Sequence, residues 1–212
     1  AIRAGVLGSN DGILTVVGVL FSVAAATTNN FAIFIAGLAD LMACALSMAS
    51  GEYASVSSQS DSEKVVVAQE EALLKSDFSG QHLTVENFYV DRGVTRSTAK
   101  AIADELLTKK PLETMLSIKY DIKLGHYMNP WSAAWASLFS AAIGGVFPLA
   151  ALILSPARYQ FIATIAATAV AVALTGLLSA KLSNGLVKRA VIRNIIIGLL
   201  TIAIHYGIGK LF

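Results

Sequence analysis

Three side chains that can bind a metal ion recur at every fourth position of one apolar segment. Asp40, Cys44 and Met48 are spaced i, i+4 and i+8, so on a helix they form one stripe, with Ser47 beside it. A carboxylate, a thiol and a thioether suit a borderline transition metal, because Ca²⁺ and Mg²⁺ take oxygen ligands whereas sulfur favours softer ions. Cys44 or Met48 alone is typical of helix packing. Their alignment with Asp40 favours the interpretation as metal ligands.

The composition indicates that this segment lies in a membrane. Of the 212 residues, 55% are hydrophobic and 14% are charged, and the mean hydropathy is +0.65, outside the range of soluble domains. A bilayer core requires roughly 20 apolar residues of helix. Five stretches satisfy this requirement: 3–26, 31–50, 131–154, 159–180 and 190–209. We therefore predict an all-α integral membrane protein with five transmembrane helices.

A polar segment, 51–128, separates the second stretch from the third and holds nine of the sixteen Lys and Arg residues. Local signals predict helices within this segment: Gly93 ends one helix, Thr95 or Ser97 is the N-cap of the next, and Pro111 begins a third. No Pro or Gly interrupts 53–74, so the second transmembrane helix is predicted to continue into this insert.

The loop charges predict the orientation, because Lys and Arg favour the cytoplasmic side. Fourteen of them belong to the N-terminus, the insert and the loop before the fifth stretch, whereas only Arg158 and Lys210 lie on the other side. The N-terminus and the insert are therefore predicted to be cytoplasmic.

The chain is predicted to divide into three parts: 1–50 (pore-forming helices one and two), 51–128 (helical insert) and 129–212 (helices three to five).

Two carboxylates, Asp11 and Asp40, lie inside the first two stretches, whereas no Asp or Glu follows Asp121. At 1.5 Å per residue both are about 12 to 14 Å along their helices, so they are predicted to meet near the midplane. A carboxylate there pairs, binds an ion or lines a water path, and no stretch offers a basic partner at that depth. A protonated Asp40 bonded to a Ser or carbonyl remains an alternative. For Asp11, the segment GSNDG (8–12) reads equally as a helix break with an N-cap.

The second stretch also carries small residues, which let helices approach closely and predict a homodimer: Ala36, Gly37, Ala39, Ala43, Ala45 and Ala49. Two-fold symmetry would bring second copies of Asp11, Asp40 and Met48 to one axis.

Several other classes of protein lack support in the sequence. The net charge is only +2 and no basic cluster alternates with aromatic residues, which argues against nucleic-acid binding. No nucleophile with a base, H-E-x-x-H site or cofactor ligand set indicates an enzyme or a resident cofactor. A single cysteine excludes an intrachain disulfide. The histidines His82, His126 and His205 have no ligand spacing, so we expect packed or interfacial roles for them.

Two segments, SNDGILTVVGVLFSVAAA (9–26) and GLADLMACALSMASGEYASVSSQSDSEK (37–64), resemble the vacuolar iron transporter family. The resemblance covers the whole chain. It implies a homodimeric exporter that moves Fe²⁺, and also Mn²⁺, Co²⁺, Ni²⁺ or Zn²⁺, out of the cytosol in exchange for protons. It assigns Asp11, Asp40 and Met48 to the pore.

The resemblance further implies that carboxylates of the insert collect metal. Glu70 and Asp121 fall on the family's positions, and Glu63 lies two turns before Glu70; a solvated helix face is the alternative for each. Glu52 is either a pore-mouth ligand or an interfacial charge. The Met pair of plant members is absent, with Ser117 and Ile118 near its place, and GEY (51–53) suggests a bacterial branch.

A bacterial member would lie in the plasma membrane, and a eukaryotic one in a vacuolar membrane. Two further functions remain open alongside proton exchange: a passive divalent-cation channel with the same ligands, and a metal sensor or scaffold without transport.

Overall fold

The computed structural model of the chain describes residues 2–125 and 128–211. These residues form eight helices and no strand, which confirms the all-α class. The helices are α1 (Ile2–Ala26), α2 (Asn30–Ser76), α3 (Phe78–Val90), α4 (Arg96–Lys109), α5 (Pro111–Tyr120), α6 (Pro130–Leu154), α7 (Gln160–Leu182) and α8 (Val187–Gly209). Five of them, α1, α2, α6, α7 and α8, are long and apolar enough to cross a membrane.

The chain divides into two compact units, one of Ala1–Ala54 with Pro130–Phe212 and one of Ser55–Asn129. The helix α2 contributes residues to both. It is a single helix of 47 residues, which confirms the prediction that the second apolar helix continues into the polar segment.

In the first unit, α1 is the central helix and packs on α6, α7 and α8. Its apolar side chains Ile13, Val16, Val17 and Leu20 are at most 1% exposed. They pack in three clusters whose partners come from the surrounding helices: Ile33 and Leu41 of α2, Leu149 of α6, Val172 of α7 and Ile202 of α8.

The pair of α1 and α6 approaches so closely that backbone meets backbone. A Cβ atom added at Gly12 would lie 2.1 Å from the Ala141 carbonyl oxygen, and one added at Gly144 would lie 2.2 Å from the carbonyl oxygen of Ser9. Glycine is required at both positions because any side chain would push the helices apart. The contact turns the neighbouring Asp11 to the exposed side of α1.

The segment GSNDG does not break α1, so the N-cap interpretation of Asp11 is wrong. Its polar side chains form tertiary hydrogen bonds instead of capping bonds. The Ser9 hydroxyl donates to the Ser140 carbonyl at 2.9 Å, and the Thr175 hydroxyl lies 3.1 Å from the Asn10 Oδ1. Packing against α6 and α7 therefore outweighs the local preference of Ser, Asn and Asp for a helix terminus.

In the second unit, α3, α4 and α5 pack around Val85, Ala103, Leu107 and Met115. The predicted boundaries are confirmed: Gly93 has a φ of 89° after α3, Thr95 is the N-cap of α4, and α5 begins at Pro111.

Candidate metal centre

The predicted stripe of α2 faces α1. Asp40, Cys44 and Met48 are all half-buried, while Asp11 on α1 is exposed. The Cys44 thiol donates to Asp11, with 3.7 Å between Sγ and Oδ2. Three of the four candidate ligands in the apolar helices, Asp11, Asp40 and Cys44, therefore lie around the contact of α1 with α2.

The register between the two helices places Asp11 level with Cys44 and one turn from Asp40. Because α1 and α2 are antiparallel, one turn forward along α1 matches one turn backward along α2. The turn from Asp11 to Thr15 therefore brings Thr15 level with Asp40, which lies one turn before Cys44. A turn is about 5.4 Å of rise. Asp11 and Asp40 therefore lie at the same contact of α1 with α2, and their predicted meeting near the membrane midplane stays a prediction.

Asp40 has an unsatisfied oxygen. Its Oδ2 and the hydroxyl of the neighbouring Thr15 are both buried, and neither forms a hydrogen bond of good geometry among the described residues. Among the side chains that the structure describes, the salt bridges all lie between Asp61 and Lys119, and none includes Asp40 or Asp11. A lone buried carboxylate oxygen is costly, and an incoming cation removes that cost.

The candidate ligands form no compact cluster among the described residues. Over the part of the chain that the structure describes, no three His, Cys, Asp or Glu side chains converge closely enough to hold an ion. The stripe borders an α2 surface that the protomer leaves uncovered, with Ile35 43%, Met42 52% and Leu46 53% exposed. A metal ion at Asp40 would therefore need further ligands besides Asp11 and Cys44.

The small residues of α2 are divided between two surfaces. Ala39 and Ala43 are exposed, whereas Gly37 and Ala45 are buried within the protomer. Gly37 faces Leu20, which a Cβ atom at Gly37 would approach to 2.5 Å. Gly37 and Ala45 therefore pack α2 within the chain, so their predicted place in a dimer contact is wrong.

His205 on α8 is a packed histidine, as predicted. Its Nδ1 lies 3.0 Å from the Ser22 Oγ, and a Cβ atom at Gly18 would lie 2.8 Å from its Nε2. His82 lies 2.7 Å from Asp104, and His126 lies outside the described residues.

A polar network that the sequence analysis missed supports α1 beside Asp11. The Thr175 hydroxyl of α7 lies 3.1 Å from the Asn10 Oδ1, and the Asn194 amide of α8 lies 3.4 Å from that hydroxyl. Because Asn10 precedes Asp11, these contacts fix the rotation of α1 about its axis. In the sequence, Asn194 indicates such a network, because it is a polar residue within an apolar stretch.

The predicted ligands of the insert lie apart from one another. Glu70 is fully buried, and the Lys119 Nζ is 3.0 Å from each of its carboxylate oxygens. Glu63 accepts a hydrogen bond from Gln59 at 2.9 Å, and Asp121 is exposed. In the other unit, Glu52 is half-buried. Metal binding by these four carboxylates stays a prediction.

The surroundings of Glu70 also affect a tyrosine. The Tyr120 hydroxyl donates to the Glu70 Oε1 at 3.0 Å. This hydrogen bond, followed by burial and by the charge of Glu70, raises the pKa of Tyr120 above its ordinary value.

Long apolar helices and carboxylates inside two of them define a multi-pass membrane protein. The chain belongs to the VIT family, whose model matches residues 2–210, and this confirms the resemblance found in the sequence.

Curated relatives match over nearly the full chain. A protein named vacuolar iron transporter from Acanthamoeba castellanii (strain ATCC 30010 / Neff) is 32% identical, over 99% of this chain and 78% of the relative. Vacuolar iron transporter homolog 1 of Oryza sativa subsp. japonica is 32% identical, over 100% of this chain and 73% of the relative. Vacuolar iron transporter homolog 3 of Arabidopsis thaliana is 30% identical, over 99% of this chain and 82% of the relative.

Proposed function

We propose that this protein is a homodimeric transporter that exports Fe²⁺, and also Mn²⁺, from the cytosol in exchange for protons. The names of its relatives support iron as a substrate. The observation that carries the proposal is the buried, partnerless oxygen of Asp40, one turn from the contact of Cys44 with Asp11. A partly dehydrated divalent ion satisfies that oxygen and offsets the cost of a carboxylate in the membrane.

In the proposed topology α1, α2, α6, α7 and α8 all cross the membrane. The asymmetry of Lys and Arg supports a cytoplasmic N-terminus and a cytoplasmic insert. The membrane is the bacterial plasma membrane, following the GEY segment.

The pore forms at a two-fold axis beside α2. One chain offers two carboxylates and one thiol, fewer ligands than the four to six that transition metals commonly bind. A second copy packed on the exposed apolar side of α2 supplies another Asp11, Asp40 and Met48. The same contact covers Ile35, Met42 and Leu46, which the single protomer leaves exposed.

Transport then follows from charge. Metal enters from the cytoplasmic side past Met48, whose thioether favours transition metals over Ca²⁺ and Mg²⁺, and binds at Asp11 and Asp40. Protonation of two carboxylates from the far side removes two negative charges and releases the divalent ion. The two protons then leave to the cytoplasmic side as the next metal ion binds, so that one metal ion is exchanged against two protons without net charge movement.

In the insert, Glu63, Glu70 and Asp121 attract metal on the cytoplasmic side, and Glu52 does so at the end of the second span. At Glu70 the ion has to displace the Lys119 ammonium, because that group already engages both carboxylate oxygens.

Metal uptake into proteoliposomes tests this function. Fe²⁺ and Mn²⁺ fluxes are measured with and without an acidic interior for the native chain, Asp40→Asn and Met48→Ala. Asp61→Asn serves as the control, since it removes an exposed carboxylate that pairs with Lys64 outside the candidate centre. We expect flux that rises with internal acidity, vanishes in Asp40→Asn, changes its Fe²⁺ to Mn²⁺ ratio in Met48→Ala and persists in Asp61→Asn.

The other outcomes each identify a different function. Flux that ignores the pH gradient indicates a passive channel. Metal binding without flux indicates a sensor or scaffold. Flux that survives Asp40→Asn shows that Asp40 has a structural role.

A further inference from the structure

A groove on the first turns of α8 combines positive charge with apolar surface. It has a volume of about 340 Å³, and all of its lining residues are exposed: Arg189, Ile192, Arg193, Ile196 and Ile197. The two arginines are spaced i, i+4, so their side chains are neighbours on the helix surface. Ile196 and Ile197 follow one turn further into the apolar part of the helix.

The protomer does not cover this groove. The residues that pack α8 onto the bundle are Ala190, Gly198 and Ile202, and a Cβ atom at Gly176 of α7 would lie 3.0 Å from the Ala190 carbonyl oxygen. At 3.6 residues per turn, Arg189, Ile192 and Ile196 project from the side of α8 opposite to this packed face, and Ile197 lies at its edge.

The arginines of the groove also lack an acidic partner. Neither Arg189 nor Arg193 takes part in a salt bridge within the described residues. No Asp or Glu follows Asp121 in the sequence, so α6, α7 and α8 offer no carboxylate to them. The groove therefore presents two unneutralised guanidinium groups at one end of a long apolar helix.

We propose that this groove binds one anionic phospholipid, with its phosphate on Arg189 and Arg193 and an acyl chain along the three isoleucines. Guanidinium groups bind phosphate oxygens in a bidentate manner, and basic pockets beside membrane helices select anionic head groups. The first turns of a membrane-crossing α8 lie at the lipid head groups, on whichever side of the membrane they emerge. The proposal needs neither metal transport nor its direction.

Two other occupants fit the groove less well. A second copy related by a two-fold axis would place arginines against arginines, because such an interface repeats the same surface on both sides. A soluble acidic segment would match the arginines but would leave the apolar half of the groove without a partner.

Native mass spectrometry of the full chain tests the proposal by counting lipids bound from an equal mixture of phosphatidylglycerol and phosphatidylcholine. Each basic residue near an anionic surface contributes about a fivefold preference. The double variant Arg189→Gln/Arg193→Gln is therefore expected to lower the preference for phosphatidylglycerol about thirtyfold. The matched control Arg158→Gln/Lys210→Gln removes the same charge elsewhere and is expected to retain it.

Two further measurements separate this site from misfolding and from simple anion binding. Arg189→Lys/Arg193→Lys keeps the charge and is expected to retain a reduced preference, with an unchanged melting temperature in phosphatidylcholine. Glycerol phosphate, which has no acyl chain, is expected not to displace phosphatidylglycerol. The proposal is overturned if the glutamine variant keeps the native preference, if the control loses as much, or if glycerol phosphate competes.

Discussion

Lys119 engages both carboxylate oxygens of Glu70, with its Nζ 3.0 Å from each, although the two residues are 49 positions apart. Glu70 has no exposed surface, and Lys119 also donates to the Gln81 Oε1 at 2.7 Å. The pair therefore links the end of α2 to α3 and α5 inside the second unit.

Removing the cation of this pair is predicted to destabilise that unit. Lys119→Met leaves a buried carboxylate without its counter-ion, a change that typically costs about 3 to 5 kcal/mol. We expect faster hydrogen exchange across α3 and α5, measured on the full chain.

The double variant Glu70→Gln/Lys119→Met is expected to recover part of the loss, because no charge is then buried alone. Lys109→Met is the control, since the pair of Lys109 with Glu105 is exposed. Equal effects of Lys119→Met and Lys109→Met would contradict the prediction.

The hydroxyl of Tyr120 is predicted to lose its proton at a higher pH than an ordinary tyrosine does. Its pKa is raised from the ordinary 10.0, first by the hydrogen bond to Glu70. A raised pKa in the folded state contributes stability that is complete below the unfolded value and is lost as the pH rises through the folded value.

Ultraviolet titration of the phenolate, taken as the difference between the native chain and Tyr120→Phe, isolates this group from the other five tyrosines. We expect Glu70→Gln to lower the pKa of Tyr120 and Glu105→Gln to leave it unchanged. A Tyr120 that titrates at its ordinary pKa in the native chain would refute the role of Glu70.

Gly12→Ala is predicted to separate α1 from α6. The added methyl group would lie 2.1 Å from the Ala141 carbonyl oxygen, and overpacking of this kind typically costs about 1 to 3 kcal/mol. We expect a lower melting temperature and reduced metal flux, since Asp11 moves with Gly12.

Gly51→Ala provides the control, because nothing lies within 4 Å of a Cβ atom there. In that exposed helical position alanine is expected to stabilise by about 0.5 to 1 kcal/mol. A Gly12→Ala protein as stable as Gly51→Ala would show that α1 and α6 tolerate a wider separation.

Cys44→Ser is predicted to change metal selectivity with little effect on folding. The thiol contacts Asp11, and its replacement by a hydroxyl leaves mainly oxygen ligands, which favour Mn²⁺ over the softer Zn²⁺. Competition between these ions in proteoliposomes measures the ratio of their fluxes.

We expect that ratio to move toward Mn²⁺ in Cys44→Ser and to stay unchanged in Ser47→Ala, a neighbouring exposed position on α2. A native ratio in Cys44→Ser would assign Cys44 to helix packing.

Local patterns in the sequence determined the membrane class, the unbroken α2 and the alignment of Asp40 with Cys44. Composition and helical spacing act over a few turns, so they can be read without knowledge of distant contacts. The same reasoning identified Pro111 and Thr95 as helix starts.

The tertiary structure decided the features that depend on packing between distant segments. Glycine contacts between α1 and α6 keep GSNDG helical, and the packing of α1 on α2 brings Asp11 into contact with Cys44. Burial likewise pairs Glu70 with Lys119. Each outcome depends on which side chains meet across helices, and the spacing within a single helix carries no information about its neighbour.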